Sequence, residues 1–269
     1  MKRRVRSQAV AGQEEDTGGR QFITALSRGL DVLRCFRYGE EPLTNQEIAR
    51  RTGLPRPTIS RIVYTLRELG YLAYFPNSRT YGLGGSTYIL GEVADHNFDP
   101  VGTMKPIMQR YAESSKTNIG LSTRDRLSMV YVEAREGASL VGLQLRAGDK
   151  ISLTQSAIGL AYLAGVNDKE YSSILRQLKS EGSVDMAELQ NDVASAKDQL
   201  DRYGFILSLG KWRAEIHGAT VPVFLSKLRV LYVLSSGGPA YMLPEDRLRN
   251  EVGPLLLEAA RDLKACTGT

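Results

Sequence analysis

Residues 43–83, LTNQEIARRTGLPRPTISRIVYTLRELGYLAYFPNSRTYGL, leave fewer folding options than any other stretch of the chain. Two helical apolar periodicities flank a glycine, and two strand-like runs follow around a tight turn. That order describes a winged helix-turn-helix, whose second helix enters a DNA major groove. Thr44 or Asn45 can cap the first helix, with Glu47 inside its first turn. Ile48 and the small Ala49 are expected to face inward where the two helices cross. Gly53 suits the left-handed turn that other residues resist. Pro55 and Pro57 then stop one helix and start the next, proline being tolerated in a first helical turn.

The second helix is expected over residues 57–69, with Ile59, Ile62, Val63, Leu66 and Leu69 as its buried stripe. Thr58, Arg61, Tyr64 and Thr65 fall off that stripe, and a surface of guanidinium, hydroxyls and phenol suits base edges and phosphates. Strands are expected at 71–75 and 80–83 around the turn Pro76-Asn77-Ser78-Arg79, with Arg79 placed for a phosphate. The expected DNA contacts are Thr44, Asn45, Arg56, Thr58, Ser60, Arg61, Tyr64 and Arg79. Each feature alone also fits a helical hairpin with a solvated face; the whole set in order points to DNA.

The chain resembles the IclR family of bacterial transcription regulators from Ile23 to its end. The resemblance rests on the helix-turn-helix together with ALSRGLDVLRCF (25–36), SAIGLAYLAG (156–165), HGATVPVF (217–224) and LSSGGP (234–239). It implies an N-terminal winged helix-turn-helix, a linker helix and a C-terminal effector domain of the GAF or profilin-like kind.

Charge is distributed as a DNA-binding half requires. Residues 1–84 hold 14 Lys+Arg against 8 Asp+Glu, a net of +6, whereas residues 85–269 hold 21 against 22, a net of −1. Neutralising phosphates releases counterions, so positive charge belongs where DNA is contacted. A basic tail kept for solubility explains only part of it, since residues 1–20 hold 5 basic and 3 acidic groups. The two cysteines, Cys35 and Cys266, offer no disulfide framework and fit a reducing cytoplasm. No run approaches the roughly 18 to 20 apolar residues of a membrane span, and the basic N-terminus lacks the apolar stretch of a secretion signal.

Four segments are expected. Residues 1–20 form a disordered basic tail, whose MKRRVR run suits a minor-groove arm or plain solvation. Residues 21–84 form the DNA-binding domain, opened by a helix at 24–36 with Leu26, Leu30, Leu33 and Phe36 facing inward. Residues 85–98 are a linker helix whose Tyr88, Ile89, Leu90 and Val93 suit a partner subunit, and residues 99–269 are the second domain. There, helices are expected to about 115 (stripe Val101, Met104, Ile107, Met108, Tyr111), at 156–165, 168–179, 185–203 and 244–265. Strands are expected at 118–123, 129–133, 140–145, 204–209, 219–224 and 230–235, with Pro222 marking an edge or a bulge. The elements do not alternate strictly, so the fold class is α+β, with helices packed on an antiparallel sheet.

Catalysis is not indicated. His96 and His217 belong to no Cys/His cluster, Ser235-Ser236-Gly237-Gly238 is not a nucleophile elbow, and Gly82-Leu83-Gly84-Gly85 lacks the lysine of a phosphate loop. No cofactor and no metal site is expected. A binding pocket fits better: Ala157, Ile158 and Gly159 open a helix with mostly small residues and free N–H groups that favour an anion. The resemblance implies effector contacts at Leu140, Leu143, Ala157, Ile158, Ser208, Ile216, Gly218, Ser235 and Gly237. The chain departs from the family at 208–218, where Lys211, Trp212 and Arg213 replace most of an often acidic stretch and leave Glu215 alone. Lys211 or Arg213 suits a ligand carboxylate and Trp212 an apolar ring; the bland alternative is a solvated loop with Trp212 as a plug.

The expectation is a cytoplasmic repressor of a catabolic operon, a homodimer or tetramer that binds double-stranded operator DNA and is switched by a small organic acid. Two rivals are a constitutive DNA binder whose second domain only oligomerises, and an enzyme with a DNA-binding appendage.

Overall fold

The computed structural model describes residues 22–37, 39–97, 100–137, 145–182, 184–226 and 228–267. The basic tail, residues 140–144 of the expected strand 140–145 with Leu140 and Leu143, and the side chains of His96 and Val101 lie outside that description. Among the described residues, those from 22 to 36 and from 41 to 88 form one compact unit and the others, from Ile89 onward with the short stretch after Phe36, the second.

The first unit carries α1 (Thr24–Leu33), α2 (Asn45–Thr52), α3 (Arg56–Glu68) and the hairpin β1 (Leu72–Phe75) and β2 (Thr80–Leu83). Thr44, not Asn45, caps α2 by accepting the Glu47 N–H at 3.2 Å. Gly53 ends that helix at φ 68°, where any Cβ would strain the backbone. Val32, Cys35, Ile48, Ile59, Val63 and Leu72 form the core, with Ala49, Ile62 and Leu66 packed against it. Burying aliphatic side chains of this size stabilises by about 1.5–3 kcal/mol each.

Two inward assignments fail. Leu26 and Leu30 are 59% and 48% exposed, because the turn of α1 carries Val32 and then Cys35 to the core instead. Together with Phe22 and Ile23 they form an outward apolar face. Leu69 is 59% exposed: α3 ends at Glu68, and Leu69 is its C-cap residue rather than part of the buried stripe.

The second unit begins within α4 (Gly85–Asn97) and includes α5 (Pro100–Ser115). Its sheet contains β3 (Asn118–Asp125), β4 (Ser128–Arg135), β5 (Lys150–Ser152), β6 (Ile206–Leu209), β7 (Ile216–Leu225) and β8 (Val230–Pro239). The order is β5-β4-β3-β8-β7-β6, every pair antiparallel. One face packs on α5 and α10 (Gly253–Cys266) through Met104, Met108, Leu256, Leu263, Leu121 and Val223. The other is covered by α6 (Ala157–Gly165), α7 (Asp168–Glu181) and α8 (Met186–Tyr203), through residues such as Leu163, Ile174, Val193 and Val233.

Strand β5 escapes the sequence reading because it is three residues long and half polar. Strands β7 and β8 run longer than expected, their glycine-rich ends pairing at Gly218 and Gly237. Pro222 is tolerated because β6 reaches only as far as Thr220, so one side of β7 is a local edge there. The expected helix 244–265 is broken into α9 (Glu245–Arg247), a π turn over Leu248–Val252, and α10. Pro254 supplies the reason, having no N–H to continue an ordinary helical ladder.

Candidate DNA interface and effector pocket

The face of α3 that turns from the core presents Arg56, Ser60, Arg61 and Tyr64 as exposed residues, with Thr58 half-buried. The arginines of this unit divide into two sets. Arg50 and Arg51 are held by Glu47 at 2.6 and 2.9 Å, and Arg67 by Glu68 at 2.6 Å. Arg56, Arg61 and Arg79 make no ion pair among the described residues, so their charge is uncommitted. Arg79 stands at the wing tip with φ 54°. The hydroxyls are less free than sequence suggests: Ser60 donates to the Arg56 carbonyl and Thr65 to the Arg61 carbonyl, which leaves only their lone pairs for a base edge. Thr44 is exposed, its oxygen engaged as the cap, and the buried Asn45 Oδ1 has no partner.

The second unit holds a pocket of about 480 Å³, counted out to its open mouth, between the sheet and the start of α6. Sheet register explains the hollow. Ser208, Gly218 and Gly237 form one row across β6, β7 and β8, and Thr220 pairs with Ser235 in the next. Two adjacent glycines leave the first row a nearly bare peptide floor. Ala157 and Ile158 open the helix above, and Ile216 adds an apolar wall. All the expected effector residues therefore line this one pocket, except Leu140 and Leu143, which lie outside the described residues.

The helix start is built with little slack. Ser156 caps α6, accepting the Gly159 N–H at 3.0 Å while donating to the Ser152 carbonyl at 2.6 Å. A Cβ at Gly159 would press into the Leu153 carbonyl, so only glycine lets the chain pass so closely. Because Ser156 takes one donor, the N–H groups of Ala157 and Ile158 are those left at the positive end of the helix.

Several lining residues were not anticipated. Thr220 donates to the Ala157 carbonyl at 3.4 Å, and period-two spacing from Gly218 would have found it. Tyr131 enters because a bulge, which pairs Leu121 with Glu133 but Ser122 with Tyr131, resets the phase of β4. Burial pushes its phenol up, with the Ser235 hydroxyl opposing, so it stays a neutral group. Leu145 and Ile151 add aliphatic walls, and Trp212 lines the pocket from the loop after β6. Lys211 is not available to a ligand as expected: it pairs with Asp192 at 2.6 Å. Arg213 lies over the Trp212 ring, 4.4 Å from its centre. No Asp, Glu, Lys or Arg stands among the described lining residues, so a charge in the pocket meets dipoles, hydroxyls and the His217 imidazole, whose Nδ1 lies 2.9 Å from the Leu243 carbonyl oxygen. Among the described residues no acidic, His or Cys group could hold a metal ion, and no helix is long and apolar enough to cross a membrane.

Residues 25–76 match the model of the IclR helix-turn-helix domain, and residues 94–265 that of the bacterial transcriptional regulator IclR C-terminal domain. The HTH-type transcriptional regulator TsaQ1/TsaQ2 of Comamonas testosteroni is 31% identical, over 94% of this chain and 90% of its own. The crystal structure of an IclR family transcriptional regulator from Brucella abortus superposes with a TM-score of 0.76 at 35% identity, covering 95% of this chain and 96% of that one. An IclR homologue from Microbacterium hydrocarbonoxydans, solved in complex with 4-hydroxybenzoate, shares the fold at a TM-score of 0.68 and 20% identity, covering 90% and 98%. With the fold, the helix-turn-helix and the matches over both units in agreement, the chain belongs to the IclR family of DNA-binding bacterial transcription regulators.

Proposed function

We propose that this regulator is a cytoplasmic repressor of catabolic genes, assembled from two or four copies, whose hold on its operator is set by a small carboxylate. Residues 21–84 bind the DNA and residues 99–269 the effector, with 85–98 linking them. The observation that carries the reading is the pocket at the start of α6, lined by Ala157 and Ile158 of that helix start and by Ser208, with no Asp, Glu, Lys or Arg among its described lining residues. Anions are stabilised at a helix N-terminus by its field and its free donors. The 4-hydroxybenzoate bound to the Microbacterium relative is itself a small carboxylate, which supports the class.

Assembly is supported by outward apolar faces: Phe22, Ile23, Leu26 and Leu30 at α1, and Tyr88, Ile89, Leu90 and Val93 on α4. Two-fold operators reward a paired protein. A ligand shifts DNA binding only if it prefers one arrangement of the molecule over another. The test selects an operator from a randomised duplex pool, then measures affinity of the full chain with a panel of small carboxylates. A tenfold or greater loss of operator affinity with one acid is the expected result. If no acid alters either the melting temperature or the operator affinity, the second domain only assembles the protein and the reading is wrong.

A further inference from the structure

Trp212 is the chain's only tryptophan, and it reaches the pocket from a loop whose neighbours Lys211, Arg213, Ala214 and Glu215 are all exposed. The loop is held in place. Gly210 turns at φ 77° and donates to the Ile216 carbonyl at 3.2 Å, and Ile216 donates back to Arg213 at 2.9 Å. Lys211 is tied to Asp192, and the Arg213 guanidinium covers one face of the indole. The ring is thus presented to the pocket as a fixed wall. The same pocket has bare peptide at the paired Gly218 and Gly237, flat because neither residue carries a side chain.

We propose that Trp212 determines specificity and that the effector is an aryl carboxylate, its ring lying against the indole and its carboxylate at the N–H groups of Ala157 and Ile158. The proposal rests on the reading of this pocket as the effector site and adds the shape of the ligand. A slot with a flat floor and an aromatic wall accepts a planar ring and excludes a puckered one of equal size. With no Lys or Arg among the described lining residues, and the His217 ring turned by its Nδ1 contact to the Leu243 carbonyl, the apolar part of the ligand decides which acid binds. Offset or edge-to-face ring pairs contribute enough for a preference of about two- to tenfold.

Benzoate, cyclohexanecarboxylate and acetate separate the alternatives. Titration of the full chain, followed by the fluorescence of Trp212 and by calorimetry, is expected to give benzoate the tightest binding, with cyclohexanecarboxylate weaker by about two- to tenfold. Trp212→Phe keeps that preference. Trp212→Leu keeps apolar bulk against the surrounding cluster and loses the preference. Equal or tighter binding of cyclohexanecarboxylate to the native chain overturns the proposal and needs no variant; so does a Trp212→Leu protein, folded by its melting profile, that still prefers benzoate. Binding of none of the three acids overturns the effector reading beneath it, a distinguishable failure.

Discussion

Replacing Ser156 by alanine tests how the pocket is held open. The Ser156 side chain is buried and makes two hydrogen bonds, accepting from Gly159 N–H at 3.0 Å and donating to the Ser152 carbonyl at 2.6 Å. Loss of a helix N-cap costs about 0.5–2 kcal/mol. Stranding a buried polar partner costs about 1–3 kcal/mol, and here the half-buried Ser152 carbonyl takes the lower end of that range. The Gly159 N–H belongs to both terms and is counted once, so the total is about 1.5–3 kcal/mol. Urea denaturation followed through Trp212, which packs on the same apolar cluster as α6, reads this unit directly. With a slope of about 1–3 kcal/mol per molar, the midpoint should fall by on the order of 1 M. Ser156→Thr retains both bonds and should stay near the parent. A midpoint unchanged within error in Ser156→Ala, at the same slope, would refute the reasoning: water would then be satisfying the Gly159 N–H and the Ser152 carbonyl in place of the serine.

On the DNA side, Arg61→Ala should weaken operator binding by about 1–3 kcal/mol if its uncommitted guanidinium reads a base, and unchanged affinity in a folded variant counts against that role. Arg79→Ala should instead weaken all duplexes alike and lower the salt slope by about one; loss confined to one base pair contradicts a phosphate contact. The Glu47 carboxyl, hydrogen-bonded by Arg50 and Arg51, is held down to about 2 against an ordinary 4.5. Its folded value is depressed, so its contribution is full above pH 4.5 and is lost as pH falls towards 2; an NMR titration midpoint near 4.5 would show that the pairs do not persist. Ala157→Leu should fill the space at the start of α6 and abolish effector binding while leaving operator affinity of the unliganded protein intact, a result calorimetry and DNA titration check together.

The DNA-binding half was legible because its signals are local. Thr44, Gly53 and Pro55 act on their own turns of backbone, and the stripe Ile59, Ile62, Val63 and Leu66 follows from helical period alone. Where reading by period failed, a boundary was at fault: Leu69 lies one residue past the end of α3, and Val32 displaced Leu26 and Leu30 because α1 carries apolar residues on more than one face. The pocket was legible only through motifs. Ala157, Gly218 and Ser235 are distant in sequence, and what unites them is the register of β7 against β8 and the placing of α6 across both. Tyr131 carried no signal, because its inward aim depends on a bulge that no local pattern announces.

The identity of the loop residues matters differently from their position. Sequence suggested Lys211 or Arg213 as the counter-charge for an acid, yet the lysine is paired with Asp192 and the arginine is stacked on Trp212. Both cations therefore fix the tryptophan rather than meet the ligand. On the proposed reading the anion is left to the N-terminal start of α6, worth about 0.3–1 kcal/mol at an exposed site and up to about 2 kcal/mol when partly buried. Apolar contact returns about 25 cal/mol per Å² removed from water, so a ring covering about 100 Å² of wall and floor outweighs that electrostatic term. On the proposed reading, selectivity in this pocket resides in the body of the acid, and the loop that departs most from the family pattern is the part of the chain that shapes it.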